Sequence, residues 1–141
     1  MNRYNAEGYI DLTAYEALSR IEREERKAKK AAAYRPLVYI CSPYRGNTNE
    51  NIENARKYSR FAVVHHSIPI APHLLFPQFL DDTLGEERQT AMFMNHVLLT
   101  KCVQLWVFGS SISEGMAQEI QWAKRRHMPI RYFTEEMEEV V

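Results

Sequence analysis

The stretch QLWVFGSSISEGMAQE, residues 104–119, decides how this chain folds. Leu105, Trp106, Val107 and Phe108 form a short apolar run of residue types that favour a pleated, buried setting. Gly109 stops the run, Ser110, Ser111 and Ser113 follow, and helical spacing begins at Gly115 or Met116. Strand, small polar turn and helix make one βα unit. The carboxyl end of such a strand and the free N–H groups of the next helix form a natural anion site. Glu119 lies in the early turns of that helix, within reach of the same crevice.

The neighbouring segments repeat the pattern. Leu37–Cys41 is apolar throughout, which suits a central parallel strand covered on both faces. In the loop at residues 42–46, Pro43 and Gly46 fix a turn, and Arg45 is the strong cation nearby. A helix is expected over residues 49–66, with Ile52, Ala55, Tyr58 or Ser59, and Ala62 at helical spacing. A second strand is expected at residues 68–71. PHLLFP, residues 72–77, is unusually apolar for a solvated connection. It reads as a wall over the crevice, leading to an acidic turn at Asp81 and Asp82. A helix over 86–102 and a strand over 130–133 complete the series, and the tail from Thr134, with four glutamates, is expected to fray. Alternating strands and helices predict a single Rossmann-like (flavodoxin-like) three-layer α/β domain with a parallel sheet of four to five strands. The loops at 42–46, 72–77 and 109–115 then converge at one end of the sheet.

Residues 1–35 read as an N-terminal helical extension to a domain at 36–141. Thr13 and Glu16 suit a capping box, and Tyr15, Leu18 and Ile21 share one helical face. The following EREERKAKK is charged on all sides, so the helix cannot bury itself. It suits either an exposed helix docked by its first turns or an arm on a second subunit. The 141 residues carry a formal net charge of zero, so electrostatics imply no nucleic-acid polymer and no membrane partner. No apolar run approaches the roughly 20 residues of a membrane span, and residues 1–9 lack the apolar core of a signal peptide. Cys41 and Cys102 read as reduced thiols of a cytoplasmic protein. Without a spaced Cys/His cluster no metal site is expected, and no cofactor either. His65 and His66 read as caps at a helix end.

SEGMAQEI, residues 113–120, resembles the D-S-G-T-A-x-E-[IL] motif of nucleoside 2-deoxyribosyltransferases and related nucleotide N-glycosidases. VYICSPYRG, residues 38–46, resembles their first strand and loop, and with PIAPH at 69–73 the resemblance covers residues 36–133. The overall pattern is most similar to a phage- and prophage-associated branch of unknown function, acting in the cytoplasm of a bacterial host. The resemblance implies that Glu119 is a nucleophile toward the anomeric carbon of a nucleotide or nucleoside. It implies a catalytic neighbour in Tyr44, and ligand contacts from Ser42, Pro43, Arg45, Gly46, His73, Gly109, Ser111, Ser113, Gly115 and Met116. The family's aspartate on the helix before the third strand falls at about Asn95, whose amide cannot serve as a general acid. Asp81 and Asp82 are the acids nearest to compensate.

Each residue also has a plainer reading. Arg45 suits a phosphate through its planar fork, or pairs with a surface acid. Tyr44 and His73 contact ligand or fill the wall. Ser111 and Ser113 suit helix caps, Ser111 in a capping box with Glu114. Gly115 lets the chain approach a sugar closely, or is a turn glycine. Two functions follow: N-glycosidic hydrolysis or deoxyribosyl transfer, and sequestration of a nucleotide without turnover in phage–host conflict. A structural oligomer with a vestigial pocket is the third. The resemblance implies a homodimer or higher homo-oligomer in which copies complete each other's pockets. Met92, Phe93, Met94, Val97 and Leu98 spread around their helix more widely than one core stripe requires.

Overall fold

A computed structural model describes residues 12–141, so the signal-peptide reading of residues 1–9 lies outside the described residues. The chain divides between Tyr34 and Arg35 into two compact units. In the first, α1 runs from Leu12 to Ala33, with Leu18 and Ile21 exposed and every residue of the charged segment 22–30 exposed as well. Thr13 falls inside this helix, so it is not the N-cap expected of it.

The second unit is a five-stranded sheet in the order β2-β1-β3-β4-β5, with β1 at Leu37–Cys41, β2 at Ile68–Ile70, β3 at Gln104–Phe108, β4 at Ile130–Phe133 and β5 at Glu139–Val140. The first four strands are parallel, in the doubly wound order that reverses direction between β1 and β3. The expected architecture is therefore present. The tail is not frayed: β5 pairs antiparallel with β4. Met137, at φ 65, turns the chain, the Thr134 N–H donates to the Glu138 carbonyl, and Arg131 pairs with Glu139. Charged residues alone did not dictate fraying, because a specific turn brings them to a partner.

Alternation along the strands splits the core in two. Val38, Ile40, Trp106, Phe108 and Phe133 face α2 (Thr48–Val64), which offers Tyr58 and Ala62. Tyr39, Cys41, Leu105 and Val107 face α3 (Gly85–Lys101) and α4 (Glu114–Arg125), which offer Leu99, Met116 and Ala123. α2 ends as expected, with His65 Nδ1 2.9 Å from the Phe61 carbonyl and His66 at φ 62. Between β2 and α3, residues 72–74 and 76–78 form two 3₁₀ turns, each with a proline in its first positions.

Candidate active site

A cleft of about 170 Å³ opens at the carboxyl ends of the strands. Tyr44 and Arg45 enter it from the loop after β1. Pro72, His73, Phe76, Pro77 and Leu80 form one wall, α3 contributes Arg88, Ala91, Met92 and Asn95, and Ser113 to Met116 open α4 along another side. Seven of the expected site residues therefore line one space: Tyr44, Arg45, His73, Asn95, Ser113, Gly115 and Met116. Ser42, Pro43, Gly46, Gly109, Ser111 and Glu119 lie outside that lining.

Local structure explains these positions. Gly46 at φ 95 and Gly109 at φ 99 sit in the left-handed region, which only glycine adopts without strain. They turn the chain after β1 and β3. Asn51, one turn into α2, donates from Nδ2 to the carbonyls of Tyr44 and Arg45 at 3.0 and 3.1 Å, and so fixes the first loop. The Ser113 hydroxyl accepts from the Met116 N–H at 3.2 Å and caps α4. The capping box expected of Ser111 and Glu114 is not formed: α4 starts at Glu114, which places Ser113 at the cap. Gly115 is no turn glycine either. It lies in the first turn of α4, and a Cβ added there would meet nothing within 4 Å, so it leaves room beside the cleft.

Arg45 is paired. Its Nε lies 3.1 Å from Asp82 Oδ2, and its Nη2 donates to the Asp82 carbonyl at 3.0 Å. Both side chains are partly solvated, so the pair contributes no more than about 1 kcal/mol to stability, but it does set where the guanidinium points. Tyr44 and His73 stack at 4.9 Å with their planes 17° apart. Burial drives the His73 imidazole down to about 4, against the opposing influence of the Ser42 carbonyl and Asp82, so this ring is neutral near pH 7.

Glu119 lies one turn further along α4 than Met116, on the sheet-facing stripe, and is only 4% exposed. Cys41 Sγ stands 3.8 Å from both Glu119 Oε1 and the Met116 carbonyl. The Tyr39 hydroxyl is near enough to favour the carboxylate, yet Tyr39 Oη and Glu119 Oε2 both lack a hydrogen-bond partner. Burial dominates and pushes Glu119 up to about 8. Asn95 Oδ1 and Ser42 Oγ are also buried without partners. Buried polar groups are normally satisfied, and of these four atoms Asn95 Oδ1 belongs to the cleft lining, while Glu119 Oε2 and Tyr39 Oη sit together behind it. The arrangement suits a polar ligand that supplies the missing bonds. Among the described residues, no group of three or more His, Cys, Asp or Glu side chains is placed to hold a metal ion.

Sequence reasoning passed over Tyr39, Leu80 and Arg88. Arg88 did carry a signal, because Arg88, Ala91 or Met92, and Asn95 repeat at the spacing of one helical face. Met92, read as an interface residue, borders the cleft, whereas Phe93 and Val97 are exposed.

A family model described as a domain of unknown function, DUF7768, matches residues 36–133. No curated protein matches the chain. Among solved structures, the fold is similar to that of a 2-deoxyribosyltransferase from the psychrotolerant bacterium Bacillus psychrosaccharolyticus, with a TM-score of 0.59 at 14% identity, over 74% of this chain and 76% of that one. It is also similar to a 2-desoxiribosyltransferase from Leishmania mexicana, with a TM-score of 0.53 at 13% identity, over 70% of this chain and 64% of that one. The fold is thus that of the nucleoside 2-deoxyribosyltransferases. Among the described residues, no helix is long and apolar enough to cross a membrane.

Proposed function

The chain belongs to the DUF7768 family, and from its 2-deoxyribosyltransferase-like fold we propose that it cleaves or transfers the N-glycosidic bond of a nucleoside or nucleotide, with Glu119 as nucleophile. One observation carries this reading: a buried carboxyl with an unpartnered oxygen beside the unpartnered Tyr39 hydroxyl, one turn along α4 from cleft-lining Met116, in a fold whose cleft also presents the unpartnered Asn95 amide. A carboxylate oxygen of Glu119 bonds to the anomeric carbon, the carbon–nitrogen bond breaks, and its electron pair leaves with the base. Asn95 has no proton to give, so the base takes its proton from water in the cleft. Water or a second base then displaces Glu119 and restores the carboxylate. For the sugar to reach Glu119, the cleft must open toward α4 beyond its present lining, which includes Met116 and not Glu119. Only the ionised carboxyl attacks, so base release should rise with pH up to about 8.

The same burial favours a second reading, in which the chain binds a nucleotide without turning it over. Glu119 is outside the lining and holds its proton near pH 7. A panel of nucleosides and nucleotides, with chromatographic detection of free base, separates the two. On the first reading the protein releases base and Glu119→Ala slows release by about 10³-fold or more. Undiminished release by Glu119→Ala removes it from the mechanism, and binding without release by the parent protein selects the second reading.

We further propose a homo-oligomer. The cleft falls below the roughly 300 Å³ at which small-molecule pockets usually begin, and Phe93 and Val97 stand exposed one turn apart on α3. Light scattering at micromolar concentration should give a multiple of 16.6 kDa; a mass near a single chain rejects this assembly.

A further inference from the structure

Resting on the nucleoside or nucleotide reading of the cleft, we propose that Arg88 recognises an anionic group on the ligand, so that the preferred class is a nucleoside phosphate over the free nucleoside. The cleft is lined by two arginines, and they differ in availability. Arg45 is clamped to Asp82 through both a side-chain and a backbone contact. To serve a phosphate, it would have to open that clamp and leave the Asp82 carboxylate beside the incoming anion. His73 is uncharged near neutral pH. Arg88 is exposed and has no ion-pair partner among the described residues, so its planar fork is free for two parallel hydrogen bonds to an anion.

Its place on α3 supports the same assignment. Arg88 lies seven residues before Asn95 on one helical face, about 10 Å along the axis at 1.5 Å per residue. Ala91 and Met92 lie between them and also line the cleft. One helix face thus runs from a solvated cation, across apolar surface, to a buried neutral amide whose Oδ1 awaits a donor. A nucleoside phosphate has that order of chemistry: an anionic end, a ring surface, and hydroxyl or amino donors at the far end. Of the two acids in the lining, Asp82 is paired with Arg45, and Glu114, which has no ion-pair partner among the described residues, does not cancel Arg88, because it sits in the first turn of α4, where the helix N-terminus offsets a negative charge.

The test is equilibrium binding, by calorimetry, of the four common 2′-deoxynucleosides and their 5′-monophosphates to the full chain, to Arg88→Gln and to Arg45→Gln. The parent protein should bind at least one monophosphate about tenfold or more tighter than its nucleoside, and Arg88→Gln should remove most of that advantage without changing nucleoside affinity. The advantage should also shrink as salt is raised, since Arg88 is exposed. Equal affinity for both ligands in the parent, or loss of the advantage in Arg45→Gln and not in Arg88→Gln, overturns the assignment while leaving the nucleoside reading in place. Binding of no ligand in the panel overturns the nucleoside reading itself, and this assignment with it.

Discussion

On the α2 side of the sheet, Phe108 stacks on Tyr58 at 4.2 Å and on Phe133 at 4.9 Å, and Phe61 meets Phe133 edge-on at 5.3 Å. The Trp106 indole N–H donates to Gln104 Oε1 at 2.8 Å. That layer is aromatic, and none of its buried side-chain polar atoms is left without a partner. On the α3 and α4 side, β1 sends Tyr39 and Cys41 toward Glu119 of α4 while α3 buries Asn95, and three of these four side chains keep an unpartnered polar atom. Each such atom costs about 1–3 kcal/mol. One face of the sheet is built for stability. The other gives up stability where the cleft lies, as expected when a site's polar groups are satisfied by a ligand.

Paired substitutions break this comparison most sharply. Phe108→Ala should destabilise the fold by about 3–5 kcal/mol, through lost burial, a cavity and three lost ring contacts. Asn95→Leu, on the other face, should cost less than about 1 kcal/mol or even stabilise, because it removes an unpartnered atom at similar size. Urea unfolding gives both values. A loss above about 2 kcal/mol in Asn95→Leu would mean that the amide has a structural duty, and the contrast between the faces would fail.

A gentler effect is expected with pH. The native chain holds the Glu119 proton up to about 8, whereas an ordinary glutamate releases it near 4.5. Between those values the native state binds more protons than the unfolded state, so this group's contribution is full below about 4.5 and is lost as pH rises toward 8. His73 acts in the opposite sense: lowered from 6.5 to about 4, it removes stability as pH falls through that window. Above pH 6.5 only the Glu119 slope of the two remains. Denaturation midpoints at pH 6.5 and 8 should therefore fall in the parent protein and fall less in Glu119→Gln. Equal slopes would show that Glu119 is not held protonated in the native state.

The fold was legible because its signals are local. A run such as LVYIC or QLWVF announces a covered strand by itself, and Gly109, Ser113 and the spacing of α4 announce the turn and helix that follow. The cleft was half legible for the same reason: its loops follow from strand order. What escaped depends on partners far apart in the chain. Arg45 and Asp82 are 37 residues apart, and nothing in either segment names the other. Tyr39 reads as one more strand residue until Glu119, 80 positions later, is packed beside its hydroxyl. The tail looked unstructured because its glutamates were counted as charge, while Glu139 has Arg131 across the ladder.

The short outer strands have a consequence for how copies of this chain can meet. A sheet edge is normally a template on which a further strand can add. Here β2 offers three residues, one of them Pro69, which has no N–H to donate, and β5 offers two. Neither edge presents enough ladder for a neighbour to extend, so the sheet resists growth into fibres. Copies that meet would have to do so through side-chain surfaces, and the exposed Phe93 and Val97 ridge on α3 lies on the same helix as the cleft-lining Arg88, Ala91, Met92 and Asn95.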